Sequence, residues 1–240
     1  MKIAILTGGS KGLGKELLTL LETAGWLVHE VSRSGDSAAH ISCDLSDVEQ
    51  TRDMIHFLLD PISTEPVDEI ILINNAAVLL PIVRFSNIHE EEVLRSVHTN
   101  VVAPLLIVRE FMQQFRDRLI PKTIVHISSG AARKGYAGWS LYCAGKAAIE
   151  NALNAIYEEE KFEAAPFRVV NVNPFVMDTE MQDAIRNSDA REFPARERYV
   201  QFKNEGVLLS ARTVAEAILV LVEDYQRKEL YFDVKASLPT

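Results

Sequence analysis

Tyr142 and Lys146 stand four residues apart in the stretch WSLYCAGKAAIE, Trp139 to Glu150. On a helix that spacing puts both side chains on one face. A phenol beside an ammonium can deliver a proton to an oxygen, because the cation stabilises the phenolate left behind. An unperturbed phenol titrates near ~10, so the cation matters. Reduction of a ketone needs such a donor: carbon takes a hydride while oxygen takes a proton. The same spacing also occurs on packed helices that do no chemistry, so the meaning of the pair rests on the rest of the chain.

A second group of residues suits phosphate. In LTGGSKGLGKEL, the residues Gly8, Ser10, Lys11, Gly12, Leu13 and Gly14 lie between a short apolar run and a helical pattern. The glycines permit a tight turn and bring backbone N–H groups to the positive end of a helix. The spacing is G-x-x-x-G-x-G, in the strand–turn–helix context that a dinucleotide site requires. Lys11 in the turn and Arg33 after the second apolar run add positive charge. An arginine there accommodates a ribose 2′-phosphate, whereas an acidic residue would hold a free 2′-hydroxyl. Together they favour NADPH over NADH, with Glu30 as a rival ribose ligand. Asp44 and Leu45 are candidates for the adenine contact, Asp44 equally suiting a turn. Asn75, Ala76 and Ala77 in INNAA are small enough for a flat cofactor to lie close to the backbone. Asn100 falls inside a helical pattern, where asparagine tends to bond locally instead. Ser128 and Ser129 end an apolar run; alternation points them apart, and Ser129 precedes Tyr142 by thirteen residues.

The elements that must position these groups alternate along the chain. Runs rich in Ile and Val at Lys2–Leu6, Trp26–Val31, Asp68–Ile73, Thr123–Ser128 and Phe167–Val172 read as strands buried on both faces, with weaker ones at His40–Asp44 and Glu229–Val234. Helical patterns fill Gly12–Ala24, ending at Gly25, and Asp47–Leu59, capped by Ser46 and ended by Pro61. Others cover Glu90–Leu119, as one helix bent near Pro104, Trp139–Phe162 and Thr213–Tyr225. Such alternation predicts an α/β fold, a doubly wound, Rossmann-type parallel sheet of about seven strands with helices on both faces. No repeat or linker divides residues 1–240, so one domain is expected. Residues 178–206, polar but studded with aromatics, read as an irregular segment over the ligand crevice.

Bulk properties narrow the function classes. With 240 residues and 48% of them apolar, a sizeable core is available. A net charge of −9 argues against a nucleic-acid or anionic-membrane surface. The apolar region Ile70–Val83 is broken by Asn74, Asn75 and Pro81, and nothing near the amino terminus resembles a cleavage signal. Cys43 and Cys143 fit no metal or redox spacing, and the histidines form no H-x-x-x-H cluster. A cytoplasmic protein without a metal is expected.

The ordered set T-G-x-x-x-G-x-G, N-N-A, a helical Asn, I-S-S, Y-x-x-x-K and a proline after the sixth strand resembles the classical short-chain dehydrogenases/reductases over essentially the whole chain. The resemblance implies a catalytic tetrad of Asn100, Ser129, Tyr142 and Lys146. Tyr142 would be the proton donor, Lys146 would support it and bond the nicotinamide ribose, Ser129 would orient the carbonyl, and Asn100 would hold a water linking Lys146 to solvent. Pro174, Val176 and Thr179 match cofactor-contacting positions. Two departures stand out: Ala77 replaces the usual glycine of N-N-A-G, and Phe175 replaces that of P-G. Within the family, GWSLYCAGKAAIE is similar to the members that reduce sepiapterin, and PFVMDTEMQDAIRNS and FKNEGVLLS to those that reduce benzil to (S)-benzoin. The implied activity is NADP(H)-dependent reduction of a ketone or aromatic diketone, with Ser129, Tyr136, Tyr142, Phe175 and Met181 as substrate contacts beside Trp139 and Phe193. Alternatives are a pterin side-chain reductase, for which Asp233 is a candidate anchor, and a non-catalytic NADP-binding sensor or scaffold. The family also implies a homo-oligomer, a dimer or tetramer, paired through the long helices.

Overall fold

A computed structural model describes residues 1–238. Seven parallel strands form one sheet in the order β3-β2-β1-β4-β5-β6-β7. They are β1 (Lys2–Thr7), β2 (Leu27–Ser32), β3 (His40–Ser42), β4 (Glu69–Asn74), β5 (Lys122–Ile127), β6 (Arg168–Asn173) and β7 (Tyr231–Asp233). Every residue of β4 and β5 is buried, as expected of central strands covered on both faces. The order reverses between β1 and β4, which opens a crevice at the carboxyl ends of the strands.

Nine helices accompany the sheet among the described residues: α1 (Gly12–Thr23), α2 (Val48–Thr64), α3 (Glu90–Val97), α4 (Ala103–Phe115), α5 (Ser140–Glu160), α6 (Glu180–Arg186), α7 (Arg196–Asn204), α8 (Ala211–Glu223) and α9 (Val234–Ser237). Leu17, Leu21, Ile218 and Leu221 of α1 and α8 pack on one sheet face with Leu6, Ile73 and Val125. On the other face Ile55, Leu59, Phe111 and Leu153 of α2, α4 and α5 pack with Ile5, Leu72 and Ile124. This is the doubly wound α/β architecture expected. No helix of the described residues is long and apolar enough to cross a membrane.

Several local expectations need correction. Asp47, not Ser46, caps α2: its carboxylate accepts the Gln50 N–H at 3.0 Å, while Ser46 bonds back to Asp44. Pro61 does not end α2, which continues to Thr64 and buries Ile62 in the core. Glu90–Leu119 is not one helix bent by proline. A π-helical turn, His98–Val102, joins α3 to α4 and contains Asn100, while Pro104 sits harmlessly in the first turn of α4. Residues 178–206 are not irregular throughout, since they contain α6 and α7. Their aromatics Phe193 and Tyr199 are buried on Trp139 at ring separations of 4.6 and 5.4 Å.

Candidate active site

A cavity of about 490 Å³ opens at the carboxyl ends of the strands, and its walls bring both groups of candidate residues together. At one end lies the glycine turn between β1 and α1. Gly8 and Gly12 have positive φ values of 72° and 52°, and a Cβ on Gly14 would come within 2.0 Å of the Gly8 carbonyl oxygen. Asn75 shapes this turn, its Nδ2 donating to the carbonyls of Thr7 and Gly8 at 3.0 and 2.9 Å. The Thr7 hydroxyl accepts the N–H groups of Asn75 and Ala76, each at 3.1 Å, tying the end of β1 to the end of β4.

Three cations face this end of the cavity: Lys11, Arg33 and, from α3, Arg95. Sequence reasoning missed Arg95. Its i, i+4 relation to Thr99, which also lines the cavity, was the available signal. Glu30, the rival ribose ligand, is turned beneath the turn. One carboxylate oxygen accepts the Gly9 N–H at 2.7 Å, the other pairs with His40 Nδ1 at 2.7 Å, and the residue is 1% exposed. It forms no part of the cavity wall, whereas Asp44 and Leu45 do. A glycine turn with no room for a Cβ at Gly8 or Gly14, with three cations on the wall of the same cavity, fits a nicotinamide dinucleotide.

Tyr142 and Lys146 lie at the other end, 8% and 4% exposed on α5, with Lys146 Nζ 5.9 Å from the centre of the Tyr142 ring. Burial pushes the Tyr142 phenol up to about 12, and the Ser129 hydroxyl pulls the other way. Burial also drives the Lys146 ammonium down to about 8, against the opposing charge of Glu150 one turn on. Lys146 Nζ donates to the Ile127 carbonyl at 2.5 Å. Ser129 caps a short 3₁₀ turn, its hydroxyl accepting the Ala131 N–H at 3.1 Å. The Ser128 hydroxyl is engaged elsewhere. It donates to Glu150, whose other oxygen holds Arg133 at 3.0 Å.

The family model for short-chain dehydrogenases matches residues 2–190. The chain belongs to the short-chain dehydrogenase family. It is therefore an oxidoreductase of a family that binds NAD(P). Benzil reductase ((S)-benzoin forming) of Bacillus subtilis (strain 168) is 33% identical over 99% of this chain and 100% of its own length. Sepiapterin reductase of Mus musculus is 29% identical over 92% of this chain and 91% of its own. Among solved structures, the KRED1-Pglu enzyme shares the fold with a TM-score of 0.81 at 23% identity, covering 96% of this chain and 100% of that one.

Within this short-chain dehydrogenase, some expected residues stand apart from the main cavity. Asn100 does not line it. Both amide hydrogens of Asn100 are engaged, by the Val78 carbonyl at 2.8 Å and Ser96 Oγ at 3.2 Å, and its Oδ1 accepts the Val78 N–H at 2.9 Å. Its side chain staples the π turn to the loop after β4. Gly145 belongs to the same junction, because a Cβ there would lie 2.8 Å from Asn100 Cβ. Of the expected substrate contacts, Met181 and Tyr142 line the cavity, and Ser129, Tyr136 and Phe175 do not. The Ser129 hydroxyl nevertheless lies near enough to the Tyr142 phenol to lower its proton affinity. Tyr136 packs on Trp139 at 5.3 Å. Phe175 turns its ring to the Lys235 ammonium, 4.3 Å away, and holds φ at 63°, so the chain follows a glycine-like path without the glycine. Val176 is held by its carbonyl, which accepts the Leu209 N–H at 3.0 Å, while Pro174 and Thr179 do line the cavity. Asp233 caps α9 and accepts from Asn173 Nδ2, which leaves it outside the cavity wall as a pterin anchor.

Proposed function

We propose that this short-chain dehydrogenase is an NADPH-dependent carbonyl reductase whose substrate is a ketone or diketone of the benzil type. The carrying observation is that one cavity joins a glycine cradle ringed by Lys11, Arg33 and Arg95 to the buried Tyr142–Lys146 pair, with Glu30 withdrawn from it. There a ribose 2′-phosphate would have Arg33 and Arg95, with Lys11 paired to Glu180 nearby, and a bare 2′-hydroxyl would find no free carboxylate from Glu30. The relationship to the Bacillus subtilis benzil reductase supports an aromatic substrate.

Reduced nicotinamide bound in the cavity would supply the hydride. Tyr142 holds its proton throughout the neutral range and releases it to a developing alkoxide, a base strong enough to take it. Ser129 orients the carbonyl oxygen toward Tyr142 and donates to it as charge develops. Lys146, charged below about pH 8, lowers the energy of the phenolate that remains. Pairing of two copies through α3, α4 and α5 belongs to the same reading and is checked by sedimentation.

The test is a panel of carbonyls, including benzil and sepiapterin, followed by NADPH absorbance and repeated with NADH and with Tyr142→Phe. Turnover of benzil with NADPH, lost in Tyr142→Phe, is the expected result. Tight NADPH binding with no turnover of any carbonyl would replace this reading with a sensor or scaffold.

A further inference from the structure

A band of polar side chains crosses the sheet beneath Lys146. Thr7, Asn74, His126 and Asn171 are register partners on β1, β4, β5 and β6, and each is at most 4% exposed. By alternation they share the sheet face of Ile5, Leu72, Ile124 and Val169, the face on which α4 and α5 pack. The outer two have protein partners: Thr7 bonds Asn75 and Ala76, and Asn171 Nδ2 donates to Asn154 of α5 at 3.1 Å, although Asn171 Oδ1 has no partner. The middle two do not. No hydrogen bond of proper geometry reaches the buried ring nitrogens of His126 or the buried amide atoms of Asn74, and the Asn74 backbone beside the ring only partly offsets its loss of water. Native interiors rarely leave such groups unmatched without an ordered water or a function.

A separate small chamber explains them. It has a volume of about 10 Å³ and is lined by His126, Asn74, Asn100, Thr99 and Lys146 among others. That is room for a single water, and its walls offer the two to four polar partners a buried water requires. We propose that one water in this chamber is held by His126 and Asn74 and accepts a hydrogen bond from Lys146, so that His126 is a positioning residue that keeps Lys146 charged.

The charges around the chamber agree with this. Lys146 is driven down to about 8 by burial, so each hydrogen bond to its charged form has leverage on its titration. From α5, Glu150 opposes that effect and the Tyr142 phenol stays neutral. From the sheet, His126 is held well below the usual imidazole range by burial and then by Lys146 itself. It thus faces the ammonium as a neutral ring with one donor and one acceptor. The strands β1 and β4 contribute only the uncharged Thr7 and Asn74, and the π turn only Thr99 and Asn100.

The chamber concerns the ligand-free protein, and only its consequence for turnover rests on the proposed carbonyl reduction. The experiment is an NMR titration of lysine labelled at Cε, with the Lys146 resonance assigned by its loss in Lys146→Arg. In His126→Leu, the Lys146 midpoint should fall by about one pH unit, a tenfold loss of proton affinity. In His126→Gln, which keeps a donor and an acceptor, it should stay near the wild-type value. The alkaline limb of kcat should move with the midpoint while the rate near pH 6 changes little. An unmoved midpoint in folded His126→Leu overturns the proposal. If that variant does not fold, a high-resolution crystal structure of the wild-type chain decides: ordered solvent between His126, Asn74 and Lys146 supports the proposal, and a dry chamber overturns it. A chain that reduces no carbonyl but shows the shifted midpoint would refute the proposed function and leave this inference standing.

Discussion

The two ends of the cavity handle charge in opposite ways. At the glycine turn the cations reach solvent: the Lys11 side chain is 66% exposed, and Arg33 also lies at the surface. There the buried part is backbone, shaped by Asn75 and Thr7 and by the Glu30 carboxylate beneath Gly9. At the reactive end the charge itself is buried, with Lys146 at 4% exposure and its proton affinity displaced accordingly. Exposed cations act through long-range attraction that salt screens, and they suit recognition of a phosphate. A buried ammonium acts in a low dielectric, where a small change of neighbours alters its protonation. Substitutions at the first end should therefore change affinity, and those at the second should change rate and its pH dependence.

The largest expected effect is at the reactive end. Tyr142→Phe should lower kcat by about 10²–10⁴-fold, the usual worth of a positioned acid, with cofactor affinity and melting temperature nearly unchanged. A variant with wild-type rate would remove Tyr142 as proton donor.

Gly14→Ala should nearly abolish cofactor binding, because its methyl group would collide with the Gly8 carbonyl and force the turn open. Calorimetric titration with NADPH checks this, and wild-type affinity would show that the turn is not the cradle.

Arg33→Ala should weaken NADPH by roughly 10–100-fold, as loss of a charge-assisted contact of about 1.5–3 kcal/mol implies, and leave NADH almost unaffected. Added salt should shrink the difference. Equal losses for both cofactors would break the assignment of this end to a 2′-phosphate.

Lys146 yields a smaller effect of unusual sign. Its folded value of about 8 lies below the ordinary 10.5, so between these values the unfolded chain binds more protons and stability rises with pH. Below about pH 8 the buried ammonium is a penalty on the folded state. Lys146→Met should therefore lose activity yet melt slightly higher at pH 7, and the rise in stability between about pH 8 and 10.5 should shrink. In the wild type, kcat should fall as pH rises through about 8, since the charged lysine is the working form.

Phe175→Gly should give the smallest change. Relieving a left-handed phenylalanine is worth on the order of 1 kcal/mol, partly offset by the greater freedom of glycine in the unfolded chain and by loss of the Lys235 contact. A small rise in melting temperature is expected, with kcat unaltered because the ring points away from the cavity.

Much of this protein was determined by its sequence alone. Alternating Ile- and Val-rich runs and helical patterns specify a parallel sheet, since only helices on both faces can cover strands that are apolar throughout. The glycine turn, the Tyr142–Lys146 spacing and the order of the motifs are local features, readable because they depend on neighbours a few residues away. What depended on distant neighbours was decided by the tertiary structure. The withdrawal of Glu30 beneath Gly9 came from a register that pairs β2 with β1, and Arg95 joins the cavity wall from α3, far along the chain from the glycine turn. Phe175 pointed away from the site because its backbone takes the path of the glycine it replaces. The alignment of Asn74 and His126 under Lys146 joins residues 52 positions apart across neighbouring strands. Only packing brings such groups together, and burial then sets their charge.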